Sequence, residues 1–416
     1  MDLKKVISKI KPGNTSLKKE TEVIVQTINS ELKKNKIKAT AIVGGSFAKD
    51  THLADDFDCD IFVKFDYRYK DANISDLLEK VLKKLKPERV HGSRDYFLFS
   101  NTQFWQSRNE SSSQRRNREL NFEVVPVLNI SKPKQAMNVT DVSPLHVAWV
   151  KKHKKSDQIR LVKAFCKANS IYGAESYIKG FSGHVLDILT IKFGSFMNLL
   201  KASQKWKPKS VIDVEKHYKN AEETMFKLNV SKTQSPLIIV DPIQPERNAA
   251  AALGYEQFNV FVKKAKEFLK KPSEKFFEKK VLTKVNFKDA IIINVVPLKG
   301  KRDVVGAKIM KAHESIEREL ENNDFEIKNS GFIWDKETFI WFKLKNEKIS
   351  SESIVKGPPL AMKNHVLAFK KEHKNSFEKN ARIFAKVKRE YVNAKELIKN
   401  VIKTDEVKEK VKIISI

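Results

Sequence analysis

Gly44-Gly45-Ser46-Phe47-Ala48-Lys49, with Asp58-Cys59-Asp60 close behind it, is the stretch on which the reading of this chain turns. Side chains alternate along a strand, so Asp58 and Asp60 project from one face a few ångströms apart. Two carboxylates that close repel unless a cation sits between them, and a ligand set made only of oxygen suits Mg²⁺. Gly45 lets the backbone approach a ligand closely, and backbone amides with the Ser46 hydroxyl can hold a triphosphate. Phosphoryl transfer needs this set: a phosphate cradle, a metal bridging phosphate oxygens, and carboxylates that place it. A site with two ions also wants a third carboxylate, and Glu123 in Leu120-Asn-Phe-Glu-Val-Val-Pro126 sits on a later expected strand able to lie beside the first. Each motif alone has a plainer reading, a solvated strand edge for the acids and a simple turn for the glycines. Their combination favours chemistry.

Working outward, residues 1–142 read as mixed α and β. Val23, Ile24, Ile28 and Leu32 form one helical stripe, strands are expected at 39–43, 59–65, 96–105 and 120–128, and a helix at 76–86. Residues 106–118 are polar, without apolar period, and read as a long exposed hairpin loop. From 143 to 271 helices dominate: Ile159, Val162 and Cys166 recur at helical spacing, and Ser182 is the expected N-cap of a helix bearing Leu186, Leu189 and Phe193. A basic helix with Phe258, Phe261, Val262, Ala265 and Leu269 ends before Pro272. Residues 272–416 alternate again: a strand at 290–296, a long helix with Val305, Ile309, Ala312, Ile316 and Leu320, strands at 325–334 and 338–344, a helix from 362, a strand at 382–392 and a closing lysine-rich helix. That order fits a small ferredoxin-like sheet, an architecture often turned toward RNA. The fold class is therefore α+β in several domains, with boundaries near 142 and 271.

The 416 residues carry 81 Lys+Arg against 51 Asp+Glu, a formal charge of +30, which points to a polyanionic partner. Of the basic residues 68 are lysine and 13 arginine, so a lysine-rich background accounts for part of the excess. The hydrophobic share of 41% excludes a disordered chain. Two cysteines, Cys59 and Cys166, cannot build a disulfide framework and fit a reducing compartment. No apolar run approaches the ~20 residues of a membrane span, and the first residues lack the apolar stretch of a signal peptide. A cytoplasmic protein without membrane contact is expected.

Gly45-Ser46 followed by Asp58-x-Asp60 resembles the nucleotidyltransferase signature of the DNA polymerase β superfamily. Further blocks narrow the likeness: Ser143-Pro-Leu-His146, Arg160-Leu-Val-Lys163, Ile171-Tyr172-Gly173, Gly180-Phe-Ser-Gly183, Val240-Asp-Pro242, Arg247-Asn248-Ala249 and Gly357-Pro-Pro-Leu360 resemble, in this order, the archaeal class I CCA-adding enzymes. The resemblance implies a polymerase-β-like head (1–142), a helical neck that binds the nucleotide (143–271), and a body with a helical tail that binds tRNA (272–416). It implies template-independent addition of C, C and A to a tRNA 3′ end from CTP and ATP, with Mg²⁺. By the family's motif Asp58 and Asp60 hold the metals and Glu123 takes the third carboxylate's place. The family commonly has Glu first and Asp third, the reverse of Asp58 and Glu123. Gly45, Ser46 and Lys49 would meet the triphosphate. Ser143, His146, Lys163 and Tyr172 would line its phosphate and ribose side, and Arg247 would face the base.

Each carried-over residue keeps a plain alternative: His146 as a helix cap, Lys163 as a solvated flank, Tyr172 as core packing, Arg247 as a helix-terminal cation. Lys386, Lys388 and Arg389 are candidate tRNA contacts, with the acceptor and TΨC arms as the expected target. Arg115, Arg116 and Arg118 touch tRNA or do nothing, and the protein acts as a monomer or a homodimer. The rival enzymatic reading is another nucleotidyltransferase with the same head, a poly(A) polymerase or oligoadenylate synthetase-like enzyme. The rival from another class is an inert RNA-binding protein, against which the clustered acids argue.

Overall fold

The computed structural model describes residues 1–13, 15–56, 58–107, 120–280, 282–335 and 337–416, so the 106–118 segment and its arginines lie almost wholly outside the described residues. The chain forms two compact units, Met1–Lys280 and Val281–Ile416. The expected head and neck both lie within the first.

In that unit β1 (Ala39–Val43), β2 (Asp58–Phe65), β3 (Glu88–Val90), β4 (Tyr96–Ser100) and β5 (Asn121–Leu128) form a sheet in the order β1-β2-β5-β4-β3. The β2–β5 pair is parallel and the others are antiparallel. Alternation sorts the two faces. Cys59, Ile61, Val63 and Phe65 on β2 and Phe122, Val124 and Leu128 on β5 share one core with Ile24, Ile28 and Leu32 of the Thr15–Lys34 helix and Leu78 and Val81 of the Ile74–Leu82 helix. Phe62, Val125 and Val127 point the other way and pack against Ile42, Tyr96 and Val147. Asp58, Asp60 and Glu123 are at the strand beginnings of this second face.

The strand expected over 96–105 stops at Ser100, and Asn101–Ser107 is a helix. The reason is local: the Ser100 N–H donates to Gln103 Oε1 at 2.7 Å and the Gln103 N–H to Ser100 Oγ at 3.3 Å, a reciprocal cap that turns the chain. Phe104 and Trp105, β formers by propensity, pack from a helix instead, which tertiary burial permits.

The helical part builds its own core. Phe165, on the Ser156–Ala168 helix, has the rings of Phe196, Phe261, Phe268, Phe276 and Phe277 at centroid distances of 5.7 to 6.2 Å. The N-terminal helix Leu3–Ile10 contributes Val6 to this core rather than to that of the sheet. Ser182 caps the Gly183–Phe193 helix, its side chain accepting from the Val185 N–H at 3.2 Å. A short parallel pair, β6 (Ser210–Ile212) and β7 (Leu237–Ile239), had no sequence signal beyond two apolar runs.

In the second unit β8 (Ile291–Pro297), β9 (Ile327–Trp334), β10 (Thr338–Leu344), β11 (Glu352–Pro359), β12 (Ser376–Lys379), β13 (Arg382–Lys388) and β14 (Val411–Ser415) make two sheets, β14-β8-β10-β9 and β11-β13-β12. The first has the ferredoxin-like arrangement, with the Arg302–Asn322 and Ala394–Val401 helices as its crossovers. Its closing strand is β14, not the expected 382–392 segment. That segment pairs through β13 with β11 and β12 in a separate small sheet over the Lys363–Glu372 helix. Which of two amphipathic strands closes a sheet is decided by remote partners that local alternation cannot see.

Phe165→Ala should destabilise the first unit by about 3–5 kcal/mol, read as a lower urea midpoint followed by tryptophan fluorescence.

Candidate active site

Parallel pairing sets Asp58 opposite Asn121 and Asp60 opposite Glu123. Directly opposed residues of a parallel pair share a face, with strands ~4.8 Å apart. Asp60 and Glu123 are half-buried and Asp58 is exposed at the rim, where Asn121 Nδ2 donates to Asp58 Oδ1 at 3.3 Å. The three carboxylates read from the sequence thus stand on one side of the sheet. β1 delivers the glycine turn against them: the Gly44 N–H donates to the Asp60 carbonyl at 2.8 Å. Gly45 has φ +50, and a Cβ there would stand 1.6 Å from Asp60 Oδ2. A side chain there would be strained and would have to displace Asp60, which reaches over the backbone into that space. Burial raises the Asp60 carboxyl above its ordinary pKa and the nearby Asp58 charge adds to that, while Lys49 and Lys163 oppose it. A divalent cation would relieve that cost, and the all-oxygen donor set fits Mg²⁺.

Beyond the turn the chain meets the helices. Lys49 Nζ donates to Asp187 Oδ2 at 2.8 Å. Lys163 Nζ lies 3.6 Å from Asp187 Oδ1 and donates to Thr51 Oγ1 at 2.9 Å. Asp187 is fully buried; burial alone would raise its pKa, but the two lysines outweigh burial and hold it low. Lys163 is buried too, which lowers its own pKa against the pull of Asp187, so it is no solvated flank. A Cβ on Gly183 would stand 3.0 Å from the Tyr172 hydroxyl and 3.8 Å from Lys163 Nζ, which brings Tyr172 to the same corner. Burial raises the Tyr172 pKa, so its hydroxyl stays a donor. Ser46, half-buried, lies in the turn itself.

A second buried cluster adjoins the first. His146, on the helix that begins at Ser143, donates from Nε2 to Asp241 Oδ1 at 2.8 Å. His184 Nε2 reaches Asp241 Oδ2 at 3.3 Å and Arg247 Nη1 reaches it at 3.4 Å. His146 is therefore a hydrogen-bond partner of Asp241 rather than a helix cap, and Arg247 pairs with Asp241 while its side chain stays 44% exposed. Burial would raise the Asp241 carboxyl, but the two histidine hydrogen bonds hold it far below the usual carboxylate range. His146, His184 and Asp241 also have the spacing of metal ligands, with donor atoms within 4.8 Å of one another. The hydrogen bonds and the adjacent guanidinium already satisfy that carboxylate, which makes it a poor cation site.

Lys386, Lys388 and Arg389 belong to the second unit. Lys386 and Lys388 are exposed, Lys386 3.7 Å from Glu352, whereas Arg389 is ion-paired with Asp324. Sequence reasoning missed Asp187, Asp241 and His184 as site residues. Asp187 had a signal: a lone acid inside the apolar run Val185-Leu-Asp-Ile-Leu-Thr190 has to find a cation. Asp241 was quoted only as part of a motif.

Three family models match the chain in order: a nucleotidyltransferase domain over 25–114, a tRNA nucleotidyltransferase second domain over 157–278, and a CCA-adding enzyme C-terminal domain over 292–412. The CCA-adding enzyme of Nanoarchaeum equitans is 38% identical over 325 residues, 76% of each chain. That of Methanocaldococcus jannaschii is 28% identical over 423 residues, covering 96% of this chain and 90% of its own. A crystal structure of a poly(U) polymerase with MgATP aligns with a TM-score of 0.52 at 13% identity, covering 67% of this chain and 98% of its own, a likeness of fold.

An ordinary imidazole takes its proton near pH 6.5, but burial holds His184 at about 4, against the pull of Asp241. Between these values the unfolded chain binds a proton that the folded chain refuses, so stability falls as pH drops from 6.5 to about 4. His184→Gln should flatten that fall, measured as thermal midpoint against pH.

Proposed function

The chain belongs to the archaeal CCA-adding enzymes, and on that footing we propose that Asp58, Asp60 and Glu123 hold two Mg²⁺ ions beside the Gly45 turn while the neighbouring cations hold the incoming nucleotide. The protein is a tRNA nucleotidyltransferase: it adds C, C and A to the tRNA 3′ end by metal-dependent nucleotidyl transfer. CTP and ATP are its nucleotides. The observation that carries the site assignment is the parallel register of β2 and β5, which opposes Asp60 and Glu123 on the face that Gly45 abuts.

In the proposed reaction the 3′ oxygen of the RNA bonds to the α-phosphorus, the α–β bridging bond breaks, and pyrophosphate leaves with its electron pair. When bound, the divalent ions would lower the pKa of the attacking hydroxyl and neutralise the triphosphate. Glu123 would take up the hydroxyl proton. Lys49 and Lys163, fixed by Asp187, face the polyphosphate, with Ser46 and the Gly45 backbone at its terminal oxygens and Tyr172 and His146 along the ribose side. Ser143 starts the helix that carries His146. Arg247, a planar fork of donors, meets acceptors on the base, which in the absence of a template separates CTP and ATP from UTP and GTP.

The proposed division of labour is a catalytic head at 1–142, a nucleotide-binding neck at 143–271 and a tRNA-binding remainder at 272–416. Lys386 and Lys388 face the acceptor and TΨC arms; Arg389 contributes less, being engaged with Asp324. Among the described residues no helix is long and apolar enough to cross a membrane. Two buried free thiols, Cys59 and Cys166, fit the proposed cytoplasmic setting.

Purified protein given tRNA lacking its last three residues, with CTP and ATP, should yield a product ending in CCA and stop there. Asp60→Asn should lower incorporation by about three orders of magnitude with tRNA affinity nearly unchanged in a filter-binding assay. Gly45→Ala should lower it by at least ~10²-fold, since the new methyl must displace Asp60. Chelation should abolish turnover and Mg²⁺ restore it.

A further inference from the structure

Asp241 accepts from five donors among the described residues. Its Oδ1 accepts from His146 Nε2 at 2.8 Å, from the Ile243 N–H at 2.9 Å and from the Gln244 N–H at 3.1 Å. Its Oδ2 accepts from His184 Nε2 at 3.3 Å and from Arg247 Nη1 at 3.4 Å. The carboxylate is fully buried, and the segment carrying it is pinned at both ends: the Asp241 N–H donates to the Arg247 carbonyl at 3.0 Å and the Ala249 N–H to the Ile239 carbonyl at 2.8 Å. The two backbone N–H groups and His146 leave Oδ1 one orientation, so Oδ2 is fixed toward His184 and Arg247. Arg247 is the single member of the set whose side chain remains substantially exposed.

We propose that Asp241 is a positioning residue that sets the angle of the Arg247 fork, and thereby the choice of base, while holding His146 on the ribose side. This rests on the reading that Arg247 faces the nucleobase. A guanidinium discriminates bases only if its donors point in fixed directions; on a long, half-exposed side chain they do so only when one end of the fork is held. Asp241 supplies that hold from below and leaves the remaining donors for the base. Because the same carboxylate bonds His146, base and ribose contacts are registered to one rigid point.

Asp241→Asn separates the two oxygens. The amide oxygen replaces Oδ1, where two backbone N–H groups demand an acceptor, so the amide NH₂ replaces Oδ2 and meets Arg247, which can only donate. The variant keeps the His146 bond and releases Arg247. Measured as the ratio of CMP to UMP incorporation on tRNA lacking its end, a ratio within one preparation that does not depend on how much protein is folded, discrimination should fall about 10- to 100-fold. Arg247→Ala should lose the same amount, and the double variant should match Arg247→Ala alone rather than multiply the losses. Asp241→Glu, which keeps the charge but moves it by one methylene, should relax the ratio likewise and serves if the asparagine variant does not fold. Wild-type discrimination in both Asp241 variants beside a relaxed Arg247→Ala would overturn the proposal, as would multiplicative losses. Unchanged discrimination in Arg247→Ala would overturn the reading of Arg247 itself and this proposal with it.

Discussion

A carboxylate taken wholly out of water has to be met by cations or donors, and in this protein that requirement joins the sheet to the helices. Residues 49 to 52 follow the glycine turn, and each reaches across. Lys49 bonds Asp187, Asp50 bonds the fully buried Arg160, Thr51 receives Lys163, and the His52 carbonyl accepts from Arg160 at 3.1 Å. Arg160 is held in turn by Asp157, at 2.7 Å. Asp187 has both Lys49 and Lys163, and Arg160 has both Asp50 and Asp157, so the turn that abuts Asp60 is held in place by groups far from it in sequence.

The same constraint explains why the cations around the nucleotide site are not simply attracted to solvent. Burial lowers the pKa of Lys163 and Asp187 opposes that shift. Arg247 and His146 are aimed by Asp241. Lys49, Lys163, His146 and Arg247 are each held by a buried carboxylate, the kind of hold that preorganised electrostatic catalysis requires. The second unit is built by different means, antiparallel sheets packed with amphipathic helices and exposed lysines such as Lys386 and Lys388.

Much of this was legible in the sequence. The Asp58-x-Asp60 spacing determined that both carboxylates share a face, because a strand repeats every two residues. Gly45 announced a close backbone approach, and the approaching group is Asp60. The core stripes of the Thr15–Lys34 and Arg302–Asn322 helices were readable from their 3.6-residue period. The order of motif blocks was readable as a family.

Other features were out of reach for a definite reason. Alternation told which way Glu123 points relative to its own strand but not which strand lies beside β2 or in what register, and a shift of one residue would have put Glu123 in the apolar core. The strand that closes the ferredoxin-like sheet was misassigned on the same ground. Partners for Lys49, Lys163, His146 and Arg247 come from 24 to 138 residues away or from the far side of a loop. The sequence by itself determined which faces the candidate carboxylates and core stripes occupy, because strand and helix periods are local. Only the tertiary structure decided which buried acid holds which cation, because charge compensation depends on distances that chain order does not encode.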